Sequence, residues 1–203
     1  MSGLMLRRQA MMAGKAEPAE TWDTVWSYTQ GTPDANGWTK YVNGTTASGT
    51  IVSNGLQIVG AGGTGGTYIY YQPPVSTYTT GVTECKVLFT AIDGGDANNY
   101  RYTLSNGANG IQVYVYNDGS SDPYKLKLYN QNAASAGTTL ASIALNTWYT
   151  IRLELGATTS AVYLDDTLLL DNIPNNTMKY CTATRFWQMR GGTSIVEYVK
   201  IKQ

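Results

Sequence analysis

"QIVGAGGTGGTYIYYQPPV", residues 57–75, decides between two fold classes. Gly60, Gly62 and Gly65 stand in the G-x-G-x-x-G spacing that follows a strand in dinucleotide-binding βαβ units. That spacing holds a pyrophosphate only when the glycine turn opens a helix and when an acid about 20 residues further on meets the ribose. Here the glycines run into "TYIYYQ", which is β-branched and aromatic and is closed by Pro73-Pro74. Such residues start a strand, not a helix. Glu84 falls in the right window but inside another strand-like run, "GVTECKVLFTAI". The stretch therefore predicts a Gly/Thr loop serving as a hairpin connection, with no phosphate role.

The same alternation extends in both directions. "TWDTVWSYT", "GWTKYVNG", "GTIVSNGLQIVG", "NYRYTLSNG", "GIQVYVYNDG", "YKLKLYNQ", "TWYTIRLELG", "SAVYLDDTLLLD", "TATRFWQMRGG" and "TSIVEYVKIKQ" all carry β-type composition or period-2 patterning. Turn signals separate or interrupt them, at Asn54-Gly55, Asn106-Gly107, Asn109-Gly110, Asp118-Gly119, Asp165-Asp166 and Gly191-Gly192. About a dozen short strands without an internal helix predict an all-β fold, a two-sheet antiparallel β-sandwich or jelly roll. Residues 21–203 are expected to form that one domain.

Composition narrows the chemistry. Lys plus Arg equal Asp plus Glu at 14 each, so no overall charge draws the chain to nucleic acid or an anionic membrane. There is no His, which removes Ser-His nucleophile pairs and the commonest ligand of catalytic zinc. Cys85 and Cys181 are too few for a disulfide scaffold. Cys85 shares its strand face with Val87 and Phe89 and reads as a buried thiol, while a bridge to Cys181 stays open. No apolar run reaches the ~18 residues of a membrane span. Residues 1–20 hold a basic pair but no apolar stretch of signal-peptide length, so classical secretion is not expected. They read as a tail, or as a docking segment in which Leu4, Leu6, Met11 and Met12 line a short amphipathic helix.

"NTWYTIRLELGATTSAVYLDDTLLLDN" followed by "TRFWQMRGGTSIVEYVKIK" resembles the C-terminal half of concanavalin A-like lectin/glucanase jelly rolls, laminin-G-like domains in particular. The shared plan is a Trp-led strand, a hairpin with an Asp-containing turn, and a closing strand carrying Ile195, Glu197, Val199, Lys200 and Ile201. The resemblance implies carbohydrate chemistry, either binding or hydrolysis. Glucanases of this fold set their carboxylates on one strand as E-x-D-x-(x)-E, and no stretch here matches. Glu84, Glu154 and Glu197 each stand alone. Retaining hydrolysis needs two carboxyl groups about 5 Å apart, so a non-catalytic domain is expected. Loop oxygens at Asp93, Asp96, Asn98 and Asn99, or at Asn117, Asp118 and Asp122, are weak candidates for calcium, since ordinary turns need the same residues.

Strand parity then proposes a surface. With Ile111, Val113 and Val115 inward, Gln112, Tyr114 and Tyr116 face the other way; with Tyr100, Tyr102 and Leu104 inward, Arg101 and Thr103 do; with Phe186 inward, Arg185 and Trp187 do. Arg101, Gln112, Tyr114, Tyr116, Arg185 and Trp187 are therefore the expected ligand-binding set, for a neutral surface glycan as partner. The alternative expectation is a structural, assembly or adhesion component, for example of a prophage-encoded virion, that docks or self-associates through residues 1–20, whose start resembles those of small prophage-associated bacterial proteins. A glycoside hydrolase ranks third.

Overall fold

The computed structural model describes residues 21–60, 67–74, 77–92, 98–106, 110–117, 119, 124–130, 135–175, 181–189 and 191–203. The expected tail at 1–20 lies outside them, as do Gly62, Gly65, Asp93, Asp96, Asp118 and Asp122. The strands are β1 (Thr24–Ser27), β2 (Thr39–Asn43), β3 (Ser48–Val52), β4 (Gly55–Val59), β5 (Tyr68–Gln72), β6 (Gly81–Ala91), β7 (Asn98–Ser105) and β8 (Gly110–Asn117). They continue as β9 (Tyr124–Asn130), β10 (Ser135–Ser142), β11 (Trp148–Leu155), β12 (Thr159–Leu164), β13 (Thr167–Pro174), β14 (Ala183–Met189) and β15 (Thr193–Lys202). Two single 3-10 turns, Tyr28–Gln30 and Asp34–Asn36, are the only helical elements among the described residues.

The strands form two antiparallel sheets. One has eight strands in the order β13-β12-β11-β6-β15-β4-β3, with β1 also pairing with β15; the other has seven, ordered β10-β9-β8-β7-β14-β5-β2. Every predicted strand is present. "GTIVSNGLQIVG" and "SAVYLDDTLLLD" each fold back as a hairpin, and the second turns at Asp165 and Asp166, both at positive φ (47° and 60°) as a two-residue type I′ turn requires.

Two expectations need correction. The glycine stretch leads into a strand, but it is not a hairpin connection: β4 belongs to the eight-stranded sheet and β5 to the seven-stranded one. The chain passes from one layer to the other between β4 and β5. Second, β10 has no counterpart in the predicted set, because "SAGTTLAS" has a single large apolar residue, Leu140, and no clean alternation. Pairing with β9 makes it a strand, with register breaks between Ala136 and Thr138 and between Thr139 and Ala141.

The core lies between the inner faces, where β6 meets β7. Cys85, Val87 and Phe89 of β6 and Tyr100, Tyr102 and Leu104 of β7 are all buried. The rings of Phe89 and Tyr100 meet edge-on at 5.2 Å. Two tyrosine hydroxyls end inside this layer and find partners on the opposite sheet: Tyr100 Oη lies 3.1 Å from Cys85 Sγ, and Tyr102 Oη hydrogen-bonds Thr83 Oγ1. Thr83 Oγ1 also donates to the Lys200 carbonyl at 3.2 Å, so its remaining role toward Tyr102 is acceptor. Burial pushes the Cys85 thiol up to about 12, more than its hydrogen bond to Tyr100 lowers it. Both cysteines are free thiols. At one end of the core Trp26, Trp38, Tyr71 and Phe186 pack ring to ring, with Trp26 stacked on Phe186 from the opposing sheet at 6.3 Å.

The Thr83–Tyr102 pair generates an asymmetric expectation, because one orphaned buried hydroxyl costs more than the loss of both. Thr83→Val is expected to destabilise by about 1–3 kcal/mol, and Tyr102→Phe added to it to recover most of that loss. Urea unfolding of the wild type, both single variants and the double variant measures this; additive losses would refute the pairing.

Candidate functional site

The inward residues fix what faces out. On β14 and β5, Phe186 pairs with Tyr71 toward the core, so the next pair, Trp187 with Tyr70, points to the outer face of the seven-stranded sheet. The row runs on in both directions: Tyr41 on β2, Tyr70 on β5, Trp187 on β14, Arg101 on β7, Tyr114 on β8, Lys127 on β9 and Thr139 on β10. Seven strands at sheet spacing make this row roughly 29 Å long. Beside it runs a second row containing Gln72, Arg185, Thr103, Gln112 and Tyr129.

All six residues predicted for the site therefore share one face, and the topology brings them together. Parity missed the densest part of it. Tyr41, Tyr68, Tyr70 and Trp187 form a continuous aromatic patch: Tyr41–Tyr70 stack at 5.3 Å, Tyr41–Tyr68 at 5.7 Å, Tyr70–Trp187 meet at 4.9 Å and Tyr68–Trp187 at 5.5 Å. The signal was present in "TYIYYQ", where an inward Ile69 and Tyr71 imply an outward Tyr68, Tyr70 and Gln72. Tyr41 is 47% exposed, so the patch opens to solvent at this edge. Arg185 Nε donates to Gln72 Oε1 at 2.6 Å, and its guanidinium stands over Tyr70 and Trp187 at 5.1 and 5.8 Å from their ring centres. The Trp187 indole nitrogen is buried with no hydrogen-bond partner among the described residues. Burial and the neighbouring Tyr41 hydroxyl raise the pKa of Tyr68.

The other end of the face is more closed than its sequence implies. Gln112 and Tyr114 point outward, yet they are only 8% and 7% exposed and Thr103 is 6%. β10 explains the cover over Tyr114. Its irregular register carries Gly137, at φ 92°, across β9 until the Tyr114 hydroxyl lies 3.4 Å from where a Gly137 side chain would begin. Burial raises the pKa of Tyr114, against the opposing effect of Arg101. Tyr116 is half-buried, with Lys127 Nζ 3.9 Å from its ring centre.

The lone carboxylates occupy the outer face of the other sheet, each engaged. Glu84 Oε1 accepts from Tyr198 Oη at 2.9 Å and Lys200 Nζ at 3.2 Å; Glu197 meets Lys86 at 2.6 Å; Glu154 meets Arg152 at 2.9 Å and accepts from Tyr163 Oη at 3.3 Å. Tyr198 is shifted upward by burial and by Glu84. A cleft of about 440 Å³ at the end of this sheet includes Glu154, Asp171 and Lys202 in its lining and contains no aromatic ring. Of the calcium candidates, Asn98 opens β7, and Asn117 Oδ1 accepts the Gly119 amide at 3.0 Å as a turn residue. No group of three or more acidic, Cys or His ligands forms among the described residues, nor is any described helix long and apolar enough to cross a membrane.

Solved structures share this arrangement of two sheets. The chain aligns with the carbohydrate-binding module CBM66 from Bacillus subtilis over 82% of its own length and 96% of that chain, at TM-score 0.52 and 19% identity. It aligns with the potassium-bound carbohydrate recognition domain of Emp46p over 83% and 89%, at TM-score 0.61 and 11% identity. A laminarinase from Flavobacterium sp. UMI-01 aligns over 90% and 100%, at TM-score 0.62 and 10% identity. The chain has a concanavalin A-like lectin/glucanase fold. No family model and no curated protein matches its sequence. The concanavalin A-like neighbours include binding domains and glycosidases alike.

The two faces of β14 differ in what truncation should cost. Phe186→Ala is expected to lose roughly 3–5 kcal/mol as a core ring, and Trp187→Ala roughly 1–2 kcal/mol as a half-buried one. Thermal melting of both variants checks the parity; a larger loss for Trp187→Ala would invert it.

Proposed function

We propose that this chain is a non-catalytic carbohydrate-binding domain that holds an oligosaccharide across the outer face of its seven-stranded sheet. The observation that carries the proposal is the four-ring patch of Tyr41, Tyr68, Tyr70 and Trp187 with Arg185 packed against it. Flat rings match the C–H faces of pyranoses, and a small number of fixed polar groups orient the hydroxyls. Gln72 and Arg185 supply such groups beside the rings, and Arg101 continues the row. Gln112 and Tyr114, largely covered, serve as the floor of the face, while Tyr116 and Lys127 border its far side. A row of roughly 29 Å suits an extended oligosaccharide better than one ring. The likeness to carbohydrate-binding modules and recognition domains supports this reading.

Binding is favoured over hydrolysis by the disposition of carboxylates. Retaining hydrolysis places two carboxyl groups about 5 Å apart. The seven strands under the aromatic patch contain no Asp or Glu, and Glu84, Glu154 and Glu197 are held by Lys and Arg on the opposite sheet.

A glycan array probed with the purified chain is expected to return hits that weaken at least about tenfold in Tyr70→Ala and Trp187→Ala, as central aromatic anchors do. The same hits incubated at high protein concentration should release no new reducing ends. Unchanged binding in both variants would move the site elsewhere, and turnover lost on Glu84→Gln or Glu154→Gln would make the chain an enzyme.

A further inference from the structure

The net charge of zero conceals two unlike surfaces. The eight-stranded sheet carries Glu84, Glu154, Asp171 and Glu197 against Lys86, Arg152, Lys200 and Lys202, and pairs most of them. In the seven-stranded sheet, β2, β5, β7, β8, β9, β10 and β14 contain Lys40, Arg101, Lys125, Lys127 and Arg185 and not one acid. By register Arg101, Arg185, Lys125 and Lys127 all stand on its outer face. Two of them have neutral partners among the described residues. Arg185 bonds Gln72 and lies over two rings, and Lys127 lies over Tyr116.

We infer that the ligand of this face is an acidic glycan, one whose sugar rings carry carboxylate or sulfate groups, with Arg185 and Lys127 as its anion contacts. The inference rests on the carbohydrate-binding reading above and replaces the neutral ligand expected from the net charge. Lys127 stands in the row on β9 and Arg185 beside it on β14, three strands apart, or roughly 14 Å. That spacing presents two separated charge contacts along one chain, with Trp187 and Tyr70 stacking under the sugar next to the first. A guanidinium already held by Gln72 beside two rings loses little freedom on binding a planar carboxylate, and hydrogen bonds of this charged kind are about twice as strong as neutral ones. Aromatic rings interleaved with cations also suit single-stranded nucleic acid. The patch favours sugar, because its four rings contact one another in one cluster at one edge instead of being spaced along a basic groove.

The test pairs each acidic probe with a neutral twin: oligogalacturonate with its methyl ester, sialyllactose with lactose, and a sulfated galactan oligosaccharide with its desulfated form, alongside a single-stranded oligonucleotide. Calorimetry at 50 mM NaCl is expected to give at least one acidic probe about a tenfold advantage over its twin, and 500 mM NaCl to remove most of it. Arg185→Gln and Lys127→Gln should each weaken the acidic probe more than its neutral twin, so that most of that advantage is lost. Trp187→Ala should weaken acidic and neutral probes together. Neutral twins that bind as well as acidic probes and still need Trp187 would overturn the charge preference and leave the glycan site standing. Failure of every saccharide, or preference for the oligonucleotide, would overturn both.

Discussion

Two tyrosine hydroxyls in an apolar layer determine how the two sheets are set against each other. Tyr100 and Tyr102 bury their rings between the sheets, and a hydroxyl left there without a partner costs about 1–3 kcal/mol. Each finds one on β6, at Cys85 and Thr83. A one-residue slip of β7 would strand both hydroxyls and turn Arg101 and Thr103 into the core. The register of the central strand is thus held from the inside, and β8 and β14 take theirs from it. What the outer face displays is the complement of what the core demands.

Ring packing continues this coupling across the thickness of the sheet. Phe186 and Tyr71 pack inward at 5.4 Å while the adjacent pair, Trp187 and Tyr70, packs outward at 4.9 Å. The inner pair joins Trp26 from the far side of the sandwich and Trp38, the residue before β2. An outward patch built on such a base is preorganised, which limits the ordering cost that a flexible ligand would otherwise add to. The electrostatic division has a similar origin. Ion pairs cover the outer face of the eight-stranded sheet, whereas on the other sheet rings and amides occupy the places beside Arg185 and Lys127.

Much of this was legible from alternation alone. It gave the strands, the inward set of β7, β8 and β14, and six outward residues that do share one face. It could not give strand neighbours, because pairing across long sequence separations leaves no periodic mark. Tyr41 and Tyr70 thus went unnoticed beside Trp187, 117 positions away from Tyr70 in the sequence. The link from β4 to β5 read as a hairpin because turn chemistry is identical whether the next strand pairs with the last or joins another sheet. β10 escaped because all its residues but Leu140 are small, and with it went the contact of Gly137 with Tyr114. Net charge was the least informative quantity, since a sum over the chain hides two faces of different character.

β2 forms an edge of the seven-stranded sheet, paired only with β5, and all five of its residues are exposed. Edge strands with one neighbour and little buried area open locally at low cost. Tyr41, the outermost ring of the patch, rides on this strand, whereas Trp187 stands on a strand paired on both sides. The aromatic surface is therefore graded in compliance, stiff at its centre and yielding at its rim. A ligand stacked on Tyr41 would suppress fraying of the strand beneath it, so occupancy of the patch would be written into the hydrogen-exchange rates of the β2 amides, some distance from any group that touches charge.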